Sequence, residues 1–152
     1  MQRKRHAAFT LIELMIVVAI LMDLAIIAMP SFIRARKTAQ NARFTSDLRA
    51  ATTAFEMYAA ENNRYPESAA PGVVPPGMAI YLQSFNWRGT NTIGGSWVWD
   101  YNSNGVIAAV AVVLPGNDDL RMTDIDTRID NGILTTGGFR KMTATRYAHI
   151  IE

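Results

Sequence analysis

The feature that most constrains this chain is an apolar run of 21 residues, from Phe9 to Met29. At 1.5 Å per residue, a helix of that length spans about 30 Å, the thickness of a bilayer's hydrocarbon core. Two acids, Glu13 and Asp23, interrupt the run. A charge at the centre of a membrane helix costs about 2.5–3.5 kcal/mol on insertion scales, so each acid needs a reason to be there.

The composition excludes several classes of protein. Across 152 residues, 49% are hydrophobic and 18% charged, so the chain can bury a core and is not disordered. A net charge of +2 is too small for a nucleic-acid-binding surface. Without cysteine there are no disulfides or thiolate zinc sites, and His6 and His149 are too far apart in sequence to suggest a histidine-based triad. We find no catalytic pattern and predict that the protein is not an enzyme.

Two general interpretations of the N-terminus are a secretory signal peptide, cut near Ala28, and a plain membrane anchor. The run is long for a signal peptide and holds two carboxylates, which an anchor does not explain either. Basic residues flank both ends, so their distribution does not set the orientation across a membrane. These residues are Arg3, Lys4 and Arg5 on one side, and Arg34, Arg36, Lys37 and Arg43 on the other.

A third interpretation accounts for the first acid. The string from Ala8 to Leu14, AFTLIEL, resembles the prepilin processing motif of type IV pilins and type II secretion pseudopilins, and FTLIELMIVVAI extends the match over residues 9–20. The resemblance implies that residues 1–8 are a cytoplasmic leader, cut between Ala8 and Phe9 by a prepilin peptidase that also methylates the new amino group of Phe9. Ala8 stands where the family usually has glycine. Without the leader's three cations, 12 basic and 13 acidic side chains leave a net charge of −1.

The resemblance also implies a role for Glu13, which matches the fifth residue of the mature family members. A carboxylate in hydrocarbon needs a partner, and the amine of Phe9 on a neighbouring subunit would supply one during assembly. The alternative is a side chain that reaches water at the membrane surface. For Asp23 two interpretations stay open: an ion pair with Arg34 or Arg36 of a neighbouring subunit, or an acid that reaches water or is protonated in lipid.

Helical composition continues to Asn62, and Pro30 falls where the family usually has a helix-kinking proline. We expect residues 9–29 to be a transmembrane and filament-core helix, and residues 30–63 its amphipathic continuation. An apolar stripe at three- and four-residue spacing needs a packing partner. The stripe consists of Phe44, Leu48, Ala51, Phe55 and Tyr58.

Residues 64–152 are expected to form a small α+β head. We predict a proline-rich connector over 66–79, a short helix over 78–85, a hairpin of strands 96–101 and 106–113, a helix over 118–131 and a last strand over 145–151. Trp97 and Trp99 share one face of the first strand. That face is expected to be core against the helix stripe; the alternative is a carbohydrate-stacking platform on a membrane-tethered binding module.

The helix over 118–131 is acidic and is expected to turn Leu120, Ile125 and Ile129 inward. Major pseudopilins carry a calcium site in their C-terminal loops, so the resemblance makes calcium a candidate cofactor, and no other cofactor is indicated. The spacing does not match an EF-hand, and a solvated helix face is the interpretation that the pattern favours. The candidate ligands are Asp118, Asp119, Asp124 and Asp126.

Periodicity predicts the long N-terminal helix, and the resemblance implies the overall architecture: an α+β, pilin-like fold in which that helix, kinked at Pro30, packs on a small antiparallel sheet. The resemblance implies a structural subunit of a type II secretion pseudopilus, anchored once in the bacterial inner membrane with its N-terminus in the cytoplasm, and assembled into a filament in the periplasm or at the cell surface. Implied partners are other copies, the peptidase and methyltransferase, a membrane platform, an assembly ATPase, minor pseudopilins and lipid, but not nucleic acid. The alternative is a surface type IV pilus subunit for adhesion, twitching or DNA uptake.

Overall fold

The computed structural model describes residues 9–152, which form two helices and four strands. The chain divides into two compact units, with the boundary between Thr38 and Ala39. The boundary falls inside the first helix. In chain order the elements are α1 (Leu11–Asn62), β1 (Ser96–Ser103), β2 (Val106–Val113), α2 (Asp119–Ile129), β3 (Phe139–Lys141) and β4 (Arg146–Ile150).

Helix α1 ends where its sequence predicts. Asn63 takes a left-handed conformation, with φ of 53°, which turns the chain out of the helix. The Asn62 side-chain amide donates to the carbonyl of Tyr58 at 2.9 Å and so satisfies one of the last helical carbonyls. Pro66 follows and keeps the chain extended.

The four strands form one antiparallel sheet in the order β1-β2-β4-β3. The predicted hairpin is confirmed: β1 and β2 are joined by Asn104 and Gly105, with φ of 54° and 79°. Two positive φ angles are what a tight hairpin turn of the Asn-Gly type requires. Strand β3 is three residues long, too short for alternation to reveal it in the sequence.

The core of residues 39–152 lies between the second half of α1 and one face of the sheet. Phe44 stacks on Trp97 with ring centroids 5.2 Å apart, and Phe55 stacks on Trp99 at 3.9 Å. The indole N–H of Trp99 donates to the carbonyl of Pro66 at 2.8 Å, so the buried ring has its polar atom satisfied. The predicted packing of the helix stripe on the hairpin is confirmed.

Two local predictions are wrong. Residues 78–85 form turns rather than the predicted helix, although Leu82 is buried and Tyr81 and Phe85 are half-buried against the core. In α2, Ile125 is buried and Ile129 half-buried, but Leu120 is 86% exposed. At 3.6 residues per turn, Leu120 lies about 140° around the helix from Ile125, so both cannot face the core.

We predict that Phe55→Ala lowers the free energy of unfolding by about 3–5 kcal/mol, because it removes a fully buried ring and leaves a cavity against Trp99. Urea unfolding of the full chain in detergent, followed by tryptophan fluorescence, measures the change. Leu120→Ala is the control: its side chain is exposed, and we expect a change within about 0.5 kcal/mol. Equal losses for the two variants would contradict the stacking of Phe55 in the core.

Candidate processing and assembly site

The apolar segment at the start of α1 has no cover from the rest of the described chain. Its large hydrophobic side chains, from Leu11 to Ile33, are all at least 46% exposed. Helix α1 is the one helix within residues 9–152 that is long and apolar enough to cross a membrane. Exposed apolar surface on this scale marks a membrane or protein contact. The segment must therefore be covered by lipid or by other protein.

Glu13 closes a hydrogen-bonded ring with Thr10 at the start of this segment. Its Oε2 accepts from both the backbone N–H and the hydroxyl of Thr10, each at 2.8 Å, and its own N–H donates to Thr10 Oγ1 at 3.3 Å. This is a capping box, which satisfies backbone donors at a helix N-terminus. The processing motif did not predict Thr10 as the hydrogen-bond partner of Glu13. A threonine three residues before a glutamate is, however, the sequence signal for such a cap.

Phe9 lies two residues before the start of α1, next to the capping residue Thr10, and is 80% exposed. Ala8, the predicted residue before the cut, lies outside the described residues. The bond on the amino side of Phe9 is therefore next to an exposed residue that is not part of a helix. Cleavage there would place the new amine one residue before Thr10, at the end of the helix that carries Glu13.

Asp23 and Pro30 both lie inside α1. Asp23 is exposed and forms no ion pair or hydrogen bond through its side chain with the described part of the chain. Pro30 has no N–H to donate to the carbonyl of Ile26, so the helical hydrogen bond at that position is missing. The Ser31 hydroxyl donates to the carbonyl of Ala28 at 2.8 Å. A kink at Pro30 stays a prediction.

The two tryptophans of β1 do not form a surface to which a ligand could bind. Trp97 is 2% exposed and Trp99 fully buried, and both rings are stacked on α1 side chains. A sugar could not reach either ring face. The tryptophan pair therefore belongs to the core, the interpretation that its spacing favoured.

The four candidate calcium ligands do not come together. Asp118 caps α2 by accepting from the N–H of Arg121, Asp119 binds Lys141, Asp124 is exposed and Asp126 is buried. Within residues 9–152, no three His, Cys, Asp or Glu side chains are grouped so that they could hold a metal ion. Calcium takes six to eight oxygen ligands around one point. The residues present do not fit a calcium site.

The ammonium group of Lys141 lies in a polar cluster that is formed by the loop after β2, the start of α2 and the sheet. Lys141 Nζ lies 2.7 Å from Asp119 Oδ2 and 3.3 Å from Asn117 Oδ1. The Tyr147 hydroxyl lies 2.6 Å from Asp119 Oδ1 and 2.8 Å from Asn117 Oδ1. The hydrogen bonds from Lys141 and Tyr147 hold the pKa of Asp119 below its usual range. The positive charge in this cluster comes from the chain itself.

Asp126 is fully buried, and neither of its carboxylate oxygens has a hydrogen-bond partner of good geometry. Burial raises the pKa of its carboxyl group above the ordinary value, and the neighbouring charge of Asp130 adds to the increase. The backbone N–H groups of Gly132 and Ile133 act in the opposite direction without outweighing burial. Ionised Asp126 therefore weakens the folded state.

We expect the melting temperature of the full chain to be the same with calcium and with EDTA, because Lys141 already supplies the cation near Asp119. Lys141→Gln should melt at a lower temperature in both buffers, since it leaves that carboxylate without its charge partner. Thermal unfolding in detergent measures both effects. A fall in EDTA that calcium reverses would show that a metal ion binds after all.

We expect Asp126→Asn to raise the melting temperature at pH 7. A carboxyl whose pKa is raised by folding loses stability as the pH rises above its unfolded pKa of about 3.9, and asparagine removes that loss. The difference between variant and wild type should therefore shrink as the pH falls towards 4. Asp124→Asn, exposed on the same helix, is the control and should change the melting temperature little. A pH-independent difference for Asp126→Asn would rule out this cause.

Comparison with known proteins identifies the N-terminal segment. A family profile described as the prokaryotic N-terminal methylation motif matches residues 3–29. The type II secretion system core protein G of Aeromonas hydrophila is 39% identical over 66 residues, 43% of this chain and 46% of that protein. The core protein G of Klebsiella michiganensis is 29% identical over 135 residues, 83% of this chain and 94% of that protein.

Pilins match as well. The type IV major pilin PilA of Myxococcus xanthus is 43% identical over 65 residues, 43% of this chain and 30% of that protein. The chain thus spans less than half the length of the Aeromonas and Myxococcus relatives, but nearly all of the Klebsiella michiganensis protein. No solved structure matches the chain. The chain thus carries the N-terminal methylation motif on an α+β fold and is similar to type II secretion pseudopilins and type IV pilins, the resemblance that residues 9–20 predicted.

Proposed function

We propose that this chain is a structural subunit of a type II secretion pseudopilus, made as a prepilin and polymerised through its apolar N-terminal helix. The observation that carries the proposal is the match to the Klebsiella michiganensis core protein G, which spans 83% of this chain and so includes much of the head. The pilin matches span 43% and 41% of the chain. A likeness that extends into the head favours the secretion system over a surface pilus.

The exposed apolar segment supports polymerisation. Before assembly, lipid would cover the side chains between Leu11 and Ile33; in a filament, the same side chains of other copies would cover them. Both environments are apolar, so the transfer between them does not require the segment to enter water. In this proposal residues 9–29 span the inner membrane once, the leader 1–8 stays in the cytoplasm and the head faces the periplasm.

Processing at Phe9 links the motif to assembly. Removal of residues 1–8 by the peptidase creates an amine that is cationic near neutral pH, and its methylation keeps the charge. Glu13 then has two roles: it caps its own helix through Thr10, and it presents a carboxylate to the amine of an incoming copy. A platform protein, an ATPase and minor pseudopilins complete the machine in this proposal. Calcium has no place in it, because the aspartates of the described chain do not form a site.

A surface type IV pilus is the second candidate. The wide-pilus major component PilA4 of Thermus thermophilus is 44% identical over 62 residues, 41% of this chain and 47% of that protein. The two candidates differ in what depends on the filament. A pseudopilus is required for release of exoproteins, whereas a surface pilus is required for adhesion, movement or DNA uptake.

Deletion of the gene tests the proposal directly. We expect specific exoproteins to disappear from the culture medium and to accumulate in the periplasm, and a copy of the wild-type gene to restore them. Mass spectrometry of the restored protein should show an N-terminal N-methylated Phe9. An unchanged medium together with lost surface filaments would favour the pilus, and a retained leader would exclude both candidates.

We expect Glu13→Leu to insert into the membrane and to be cut, but to give few filaments, because the amine of each incoming copy lacks a counter-charge. The yield of subunits in sheared filaments measures assembly, and the mass of the N-terminal peptide measures cleavage. Glu56→Leu, an exposed glutamate on the same helix outside the apolar segment, is the matched control. Normal filament yield from Glu13→Leu would exclude this role.

A further inference from the structure

Asp23 is the one acid of the apolar segment that neither the helix cap nor the processing chemistry uses. It is exposed and has no partner among residues 9–152. In lipid or in a filament core, an ionised carboxylate without a partner is costly. The cations of residues 9–38 are Arg34, Arg36 and Lys37, all exposed and all on α1. None of them forms an ion pair with the described part of the chain.

Helix geometry separates these three cations. Helix α1 is continuous from Leu11 to Asn62, so each residue advances about 100° around its axis. Arg34 follows Asp23 by 11 residues and lies about 20° from it, on the same face. Lys37 lies about 40° away on the other side of Asp23, and Arg36 about 140° away, on the opposite face. Arg34 is therefore the cation best aligned with Asp23.

Distance rules out a pair within one chain. Eleven residues of helix separate Asp23 from Arg34 by about 16 Å along the axis, which is beyond the reach of the two side chains together. A parallel copy displaced by about that amount brings its Asp23 level with Arg34 of the first copy. Helix side chains lean towards the N-terminus, so Arg34 leans towards the acid and slightly reduces the displacement needed.

We propose that Asp23 of one copy pairs with Arg34 of a neighbouring parallel copy, and that this pair sets the axial offset between their apolar helices. The inference deepens the proposed function, because it needs the chain to polymerise. Helices that surround a common filament axis direct the same face of every copy to the same region, so an acid and a cation on one face can meet across copies. Opposite charges at a fixed spacing then favour one offset over a continuous slide of two apolar surfaces.

Charge exchange tests the pair in cells that assemble the wild-type chain. Asp23→Lys and Arg34→Glu should each lower the filament yield about tenfold, and the double variant Asp23→Lys/Arg34→Glu should recover most of it. The matched control is Asp23→Lys/Arg36→Glu, which has the same net charge and the same number of changes but places the acid on the opposite face. It should stay as defective as Asp23→Lys alone. Asp23→Asn, similar in shape to the acid, should also assemble poorly.

Membrane insertion is checked separately, by the mass of the processed N-terminal peptide in every variant. Recovery by Arg36→Glu or by Lys37→Glu, but not by Arg34→Glu, would overturn the assignment. Wild-type yield from Asp23→Asn would overturn the pair itself. If the processed wild-type chain forms no filaments at all, the proposed function fails, which is a different result from wild-type filaments that ignore Asp23.

Discussion

The main physical constraint on this chain is the exposed apolar surface at the start of α1. From Leu11 to Ile33 the large side chains are exposed, and burial of that surface is worth far more than any hydrogen bond in the segment. Such a helix is stable only in lipid or against other copies of a similar surface. In the proposed function, membrane anchoring and polymerisation are two ways to satisfy this one constraint with the same side chains.

In the proposed filament, Glu13 and Asp23 would restrict contacts that apolar surface alone leaves free to slide. The free energy of hydrophobic contact is proportional to the buried area, so two apolar surfaces can slide past each other at little cost. A poorly solvated charge is stable only beside a few kinds of partner. Glu13 is partly satisfied by its own Thr10, and Asp23 has no partner within residues 9–152. In the filament that we propose, a few polar groups would set the register, and the apolar side chains around them would supply the stability.

The compact unit of residues 39–152 is stabilised by contacts within itself. Stacked aromatic rings join the helix stripe to the hairpin, and α2 is tied to α1 by Arg121, which donates to Asn41 Oδ1 at 2.8 Å and to Gln40 Oε1 at 2.9 Å. On the sheet's other face, Arg146 pairs with Asp100 at 2.7 Å. Lys141 neutralises Asp119 beside the loop after β2. These charges are paired within the unit, in contrast to those of the apolar segment.

The sequence by itself determined the elements whose signal is local: the apolar run and its motif, the extent of α1, the hairpin at Asn104-Gly105 and the core role of Trp97 and Trp99. Periodicity and turn chemistry act between near neighbours in the chain, so they can be recognised without a fold. Only the tertiary structure decided whether the four candidate aspartates of α2 and its cap are grouped at one point. It also decided the exposure of Leu120 and the pairing of the short strand β3 with β4. Those outcomes depend on which residues distant in sequence become neighbours: Lys141 reaches Asp119 only because β3 lies beside α2, and no spacing along the chain encodes that contact.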